Sequence, residues 1–262
     1  MTRPFAFLTL LLAAAAGVRA ADLDDLKKTG VLRVLVVDGS PAFVSLKPES
    51  APGFERDLLD GFARRQGLRV ELVEIATWEE LVPALVAGKG ELIAGGVNDT
   101  AERRKVIDFT VEVFPTRDVV VTRRPTLPIV TLDELRAAKV GTIKGTALAD
   151  RLVEAKVPKA NIDDTLPATG FAEALRSRRV VAVLDGIEDA LQLKAADPQL
   201  DLGMFLGPPA SMAFGLRKDA PVLRDALNEY LGAARKSGLW SRLVVKYFGG
   251  SAADVLRKAR GE

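Results

Sequence analysis

The chain of 262 residues has no cysteine and no histidine. Without cysteine there is no disulfide to staple a small fold, no thiol nucleophile and no lipid attached through a cysteine. Without histidine there is no Ser–His–Asp triad, no Cys–His dyad and no His-ligated zinc. Any catalysis falls to carboxylates, lysine, serine or tyrosine, and no metal or other cofactor is expected. Long apolar runs are also scarce. One spans residues 5–16, in "MTRPFAFLTLLLAAAAGVRA", and no later stretch approaches the length of a membrane span.

That first run follows a single basic residue, Arg3, and leads to small side chains at Val18 and Ala20. It is too short for a span, so residues 1–20 are expected to be a secretory signal peptide cut after Ala20, with an uncleaved anchor as the alternative. The leader holds Arg3 and Arg19 and no acid. Its removal leaves 35 of the 37 basic residues against 35 acidic ones. The charges are mixed along the chain, which argues against a nucleic-acid partner.

Apolar runs of strand length alternate with helical patterns. Residues 31–37, "VLRVLVV", predict a strand, and "ERDLLDGFARRQG" a helix with Leu58, Leu59, Phe62 and Ala63 on one face and Gly67 at its end. "LRVELVEI" predicts a second strand, and "TWEELVPALVAG" a helix with a capping box of Thr77 and Glu80 that stops at Gly88. "ELIAGG" is a third strand. A β-α-β-α-β series of this kind makes a parallel α/β sheet. A second series follows. Residues 118–122 predict a strand, "TLDELRAA" a helix capped by Thr131 and Glu134, and "KVGTI" a strand that runs into a loop and the helix of "KGTALADRLVEA". "FAEALRSRR", "VVAVL" and "IEDALQLKAA" predict helix, strand and helix. A strand at "SMAFGLRK" and two helices close the chain.

"EVFPTRD" and "FLGPPAS" interrupt this order with proline. If both are crossings between the same two lobes, residues 22–112 and 211–262 form lobe 1 and residues 118–206 form lobe 2. The hinge would lie at about 113–117 and 207–210, with a ligand cleft between the lobes. One continuous sheet with ordinary loops is the alternative.

Ligands in open α/β sheets sit beyond the carboxyl ends of the strands. Three segments lie there. In "AGGVNDTAER", Gly95 and Gly96 permit close approach of a ligand to the backbone, Asn98 offers a side-chain amide, and Thr100 caps a helix that carries Arg103 in its first turn. Arg103 supplies a planar fork suited to a carboxylate, and Arg104 points about 100° away around the helix. A solvated surface arginine is the other reading of Arg103. In "TIKGTALAD", Thr146 opens a helix, either at an anion or as an ordinary helix start. In "VVAVLDGIEDA", Asp185 ends a strand, where it either accepts an ammonium group or caps the next helix. Phe43 and Trp78 either wall an apolar ligand or belong to the core.

Taken together these stretches resemble the family 3 extracellular solute-binding proteins, the polar-amino-acid-binding proteins of ABC importers. "GFERDLLDGF" is similar to the family's G-F-x-x-D-L. "TWEELVPALVAGKGELIAGGVNDTAERRKVIDFT" is similar to its W-x-x-L-x-P-A-L stretch with the following glycine, T-x-E-R and D-F-S/T. "VGTIKGTA" is similar to its second-lobe V-G-x-x-x-G-T loop. The resemblance spans about 30–250. It implies a two-lobed α/β fold of the type II periplasmic-binding-protein kind, a periplasmic and monomeric protein, and delivery of a small carboxylate to a membrane permease. It implies Arg103 as the carboxylate clamp, with Gly96 and Asn98 adding bonds. Trp78 and the segment 38–43, with Asp38 and Phe43, would line the side-chain pocket. Thr146 would contribute from lobe 2, and Asp185 would receive the ligand ammonium. Ala147 stands where the family commonly has a second hydroxyl, and Asp185 precedes the usual position of the ammonium-binding aspartate by one residue. The carboxylate end is therefore better matched than the amine end, and a ligand without an α-amino group is an expectation to test. Some proteins resembling this family dehydrate cyclohexadienyl acids with a carboxyl acid. Asp185 or Glu188 would need a raised pKa for that role, and the sequence marks neither.

Overall fold

The computed structural model describes residues 22–167 and 169–261. The expected leader lies outside the described residues. The chain begins with α1 (Leu23–Thr29), β1 (Val31–Val36), α2 (Phe54–Gln66), β2 (Arg69–Glu74), α3 (Trp78–Val86), β3 (Leu92–Ile93), α4 (Ala101–Val106) and β4 (Asp108–Phe109). It continues with β5 (Phe114–Arg123), α5 (Leu132–Ala137), β6 (Val140–Gly141), α6 (Ala147–Glu154), β7 (Ile162–Asp163), α7 (Phe171–Arg176), β8 (Ala182–Gly186), α8 (Ile187–Ala196) and β9 (Leu200–Met212). It closes with β10 (Gly215–Leu216), α9 (Pro221–Lys236), α10 (Leu239–Phe248) and α11 (Ala252–Arg260).

Two five-stranded sheets result. The first has the order β2-β1-β3-β10-β4 and the second β7-β6-β8-β5-β9. In the first, β1 pairs in parallel with β2 and β3, and β10 returns antiparallel between β3 and β4. In the second, β6 pairs in parallel with β7 and β8, and β5 runs antiparallel between β8 and β9. The first sheet is completed by a strand that follows the whole of the second. This is the two-lobed, type II periplasmic-binding-protein architecture.

Local chemistry accounts for most elements. In α2, Leu58, Leu59, Phe62 and Ala63 are buried on one face, and Gly67 ends the helix at φ 73°. The Thr131–Glu134 capping box forms, with each side chain bound to the other residue's backbone N–H. The box expected at Thr77 does not form: Thr77 makes no side-chain cap bond to α3.

The breaks expected at the prolines are also absent. β5 starts at Phe114 and contains Pro115, while β9 runs unbroken through Pro208 and Pro209. The two strands pair where they cross, Phe114 with Met212, Pro115 with Ser211 and Thr116 with Ala210. β9 is an edge strand, where a missing N–H on the outer side leaves no ladder partner unsatisfied.

The largest core cluster is continuous from one sheet to the other. Phe43, Phe54 and Phe248 pack around Phe114, and the same cluster takes in Val119, Ile187, Leu191 and Leu200. Ring centroids of Phe114 lie 5.2 Å from Phe43 and 4.8 Å from Phe248. Burial of each such ring contributes on the order of 2–3 kcal/mol. At the same junction Trp240 donates its indole N–H to the Val113 oxygen at 2.7 Å, and Arg235 and Arg260 lie over its ring. Both arginines also bind Glu112, and Glu112 accepts from the Ser211 hydroxyl at 2.8 Å. Residues beside both crossings are thus tied to α9 and α11.

Candidate functional site

The loop after β3 is held from below. Gly95 and Gly96 sit at φ 107° and 82°, conformations that side chains rarely adopt. Their N–H groups converge on one carboxylate: Gly95 donates to Glu55 at 2.6 Å, and Gly96 donates to both Glu55 oxygens at 3.3 Å. Glu55 is fully buried in the first turn of α2. Burial pushes its carboxyl up to about 7, against the opposing pull of the two amide bonds. The Gly96 N–H expected to meet a ligand is therefore already committed. The reason for glycine at 96 is also steric, since a Cβ there would come within 3.0 Å of the Phe43 ring.

Phe43 itself corrects the expectation of a pocket wall. It is 2 % exposed and packs edge-on against Phe54 and Phe114, beneath the loop. Asp38, just beyond the end of β1, is exposed. Trp78 opens α3 and is 36 % exposed, so it is no core residue.

The two adjacent arginines are used differently. Arg104 pairs with Asp99, its Nε 2.6 Å from Oδ1, and lies over the Phe109 ring. Arg103 donates through Nη1 to the backbone oxygen of Asn98 at 2.7 Å and has no acidic partner among the described residues. Its own N–H is capped by the Thr100 hydroxyl. The segment that carries this pair is joined to the end of β9. Asn98 bridges to Met212, Asp99 N–H donates to Ser211 at 2.9 Å, and Ala213 N–H donates to Val97 at 3.0 Å.

In the second lobe, Thr146 caps α6 by position only: its hydroxyl donates back to the Ile143 oxygen at 2.7 Å. Asp185 is 6 % exposed at the end of β8. It does not cap α8, whose N-cap is Gly186. Its Oδ1 accepts the Gly186 N–H at 3.0 Å. Burial first, then the charges of Asp189 and Glu188, push its carboxyl up to about 8. Glu188, which accepts from the Thr116 hydroxyl at 2.9 Å, is pushed up by burial to about 7. Burial also raises Asp189. Arg151, in the same lobe, is bonded to Asp118 and Glu154.

The structure thus groups Gly96, Asn98 and Arg103 on one loop–helix unit, and Asp185 with Glu188 and Asp189 at one helix start. Asp38, Trp78, Thr146 and Asp185 all stand at or just beyond the carboxyl ends of strands that pair in parallel. Arg103 keeps donors free among the described residues for a negatively charged group, and Asp185 and Glu188 hold protons up to about 8 and about 7. Among the described residues no group of three or more acidic side chains is arranged to hold a metal ion. Glu55 and Thr116 were not among the residues the sequence singled out. Glu188 was visible as a possible acid, but its partner Thr116 lies 72 residues away.

Residues 32–250 match the bacterial extracellular solute-binding proteins, family 3. A probable histidine-binding protein of Campylobacter jejuni is 25% identical over 199 residues, covering 74% of this chain and 76% of that one. A membrane-bound lytic murein transglycosylase F of Pseudomonas putida is 26% identical over 260 residues. That match covers 94% of this chain and 51% of the relative, so the chain spans about half the length of that relative. Among solved structures, an ancestral cationic amino acid solute-binding protein superposes with a TM-score of 0.78 at 26% identity. The superposition covers 86% of this chain and 99% of that one.

Proposed function

Because this chain belongs to the bacterial extracellular solute-binding proteins, family 3, we propose that it captures an amino acid in the periplasm as a monomer and delivers it to the permease of an ABC importer. Arg103 grips the ligand carboxylate. Asn98 and Thr146 add polar contacts, and Trp78 and Asp38 border the side chain. Asp185 receives the ammonium and gives up its proton as it does so. The lobes close by bending at about 113–117 and 207–210, which removes water from these charged bonds and strengthens them. In this reading the protein performs no chemistry on its ligand; the raised carboxyls of Asp185 and Glu188 meet the condition set for a dehydrating acid, so turnover of a cyclohexadienyl acid would overturn it. Residues 1–20 direct its export.

The observation that carries this reading is the contrast between Arg104, neutralised by Asp99, and Arg103, which has no acidic partner among the described residues. The buried Asp185, Glu188 and Asp189 favour an amino acid with a cationic side chain over a simple organic acid. The names of the histidine-binding and cationic-amino-acid-binding relatives point the same way. A thermal-shift screen of refolded protein against amino acids and simple organic acids tests this. The expected result is a rise in melting temperature with L-arginine, L-lysine or L-histidine. Stabilisation by organic acids alone would overturn the amino-acid reading.

A second reading is favoured by the transglycosylase relatives, which carry a region like this one in about half of their length. In that reading the chain senses a ligand and signals to a partner protein. Neighbouring permease and ATPase genes would support transport; their absence, with binding intact, would support sensing.

A further inference from the structure

Glu55 is hard to explain as part of the fold alone. It stands in the first turn of α2, where an acid is favoured by the helix dipole, but such acids are ordinarily solvated. Here the side chain is fully buried, and no cation bonds to it among the described residues. A buried carboxylate without a paired charge costs several kcal/mol unless hydrogen bonds replace its water. Both of its oxygens are used for one purpose, to gather the N–H groups of two consecutive glycines. Converging amides of this kind form a concave anion site in the backbone, and here the protein fills that site with its own carboxylate.

The consequence lies on the other side of the loop. A trans peptide is planar, so an N–H turned inward turns the carbonyl of the same peptide outward. Glu55 therefore fixes which way the Ala94–Gly95 and Gly95–Gly96 peptides face. Two residues later the chain reaches Asn98, whose oxygen holds Arg103 and whose backbone bridges to Met212 at the end of β9. Glycine at 95 and 96 lets this short link turn sharply, and it also leaves it free to flip. Neither φ is one that an ordinary residue would enforce.

We propose that Glu55 is the positioning residue of the ligand site: its carboxylate locks the Gly95–Gly96 turn so that Asn98 and Arg103 are presented in the binding arrangement. It does not touch the ligand. The proposal rests on the site assigned above, but its first test does not.

The test uses full-length Glu55→Ala and Glu55→Gln proteins and two readouts. Amide hydrogen exchange, read by NMR, should accelerate at Gly95 and Gly96 by about tenfold or more in Glu55→Ala, the equivalent of one or more lost buried hydrogen bonds. Protection in α2 and β1 should change far less. Glu55→Gln keeps one acceptor oxygen and should fall between the two. A general loss of stability would instead speed exchange throughout the lobe, and that outcome overturns the proposal. Calorimetric affinity for L-arginine and L-histidine should fall in the same order, Glu55→Gln before Glu55→Ala. Faster glycine exchange with parental affinity also overturns it. If the parent binds neither amino acid, the functional reading fails, and the exchange pattern alone decides whether Glu55 locks the turn. If Glu55→Ala does not fold, Glu55→Gln decides on the same criteria.

Discussion

Arg103 donates through Nη1 to the backbone oxygen of Asn98, 2.7 Å away. That single bond fixes the guanidinium to the loop whose far end is joined to β9, while its Nε and second terminal nitrogen keep their donors free among the described residues. A carboxylate takes two parallel N–H bonds from such a fork. Lysine has the charge but not the fork, so Arg103→Lys should bind poorly as well.

If Asp185 receives the ligand ammonium as proposed, its raised pKa makes binding a proton-linked event. With its carboxyl at about 8, free protein at pH 7 holds the proton there. A ligand ammonium favours the ionised form, so binding releases the proton to the buffer. Affinity should therefore rise as pH increases from 6 toward 8, then level off. Calorimetry at pH 7 in buffers of different ionisation enthalpy should show release of about one proton. Asp185→Asn should abolish that release and weaken binding. Equal heats in all buffers would contradict the assignment.

The same group acts on stability with a definite sign. Between its ordinary value near 4 and about 8, the folded protein holds a proton that the unfolded chain does not. Stability from this group therefore falls as pH rises through that window. Glu188 and Glu55, both raised to about 7, act in the same direction. Asp185→Asn removes the cost. Its stability relative to the parent should grow between pH 5 and pH 9, by on the order of a few kcal/mol. Denaturant titrations at the two pH values measure this. A difference that shrinks or stays constant would count against the burial argument.

Phe43→Ala separates a core role from a pocket role. The ring is fully enclosed by Phe54, Phe114 and Phe248. Its loss should cost about 3–5 kcal/mol of stability in denaturant titrations. The relative affinities for different amino acids should stay as in the parent. A shift in that preference with little loss of stability would return Phe43 to the pocket wall.

Much of the architecture was legible because it rests on period and local chemistry. The face of Leu58, Leu59, Phe62 and Ala63 on α2 follows from helical spacing, and the Thr131 box follows from two residues three apart. The continuity of β9 through Pro208 and Pro209 was not legible, because proline is harmless only on an edge strand, and edge position is set by the other strands of the sheet. Helices α1 and α11 were also missed. α11 shows an apolar set of Ala252, Leu256 and Ala259, small enough to read as loop until its packing partners are known. At the site, a capped helix after two glycines made Arg103 a candidate beside the reading of a solvated surface arginine, and its role as clamp came from the family resemblance. The inward turn of the Gly96 amide was not legible, because the acid that attracts it lies 41 residues earlier. Phe43 failed for the same reason: an aromatic after a strand looks alike whether it faces a ligand or three other rings.

Arg103 and Arg104 form the sharpest pair of comparisons. Calorimetry with the amino acid that most stabilises the parent, on Arg103→Ala and Arg104→Ala, isolates the clamp from general surface charge. Arg103→Ala should lose affinity by at least about a hundredfold, a loss of roughly 2.7 kcal/mol consistent with charge-assisted bonds, with a nearly unchanged melting temperature. Arg104→Ala should bind within a few fold of the parent. Parental affinity in Arg103→Ala would contradict the account at its centre.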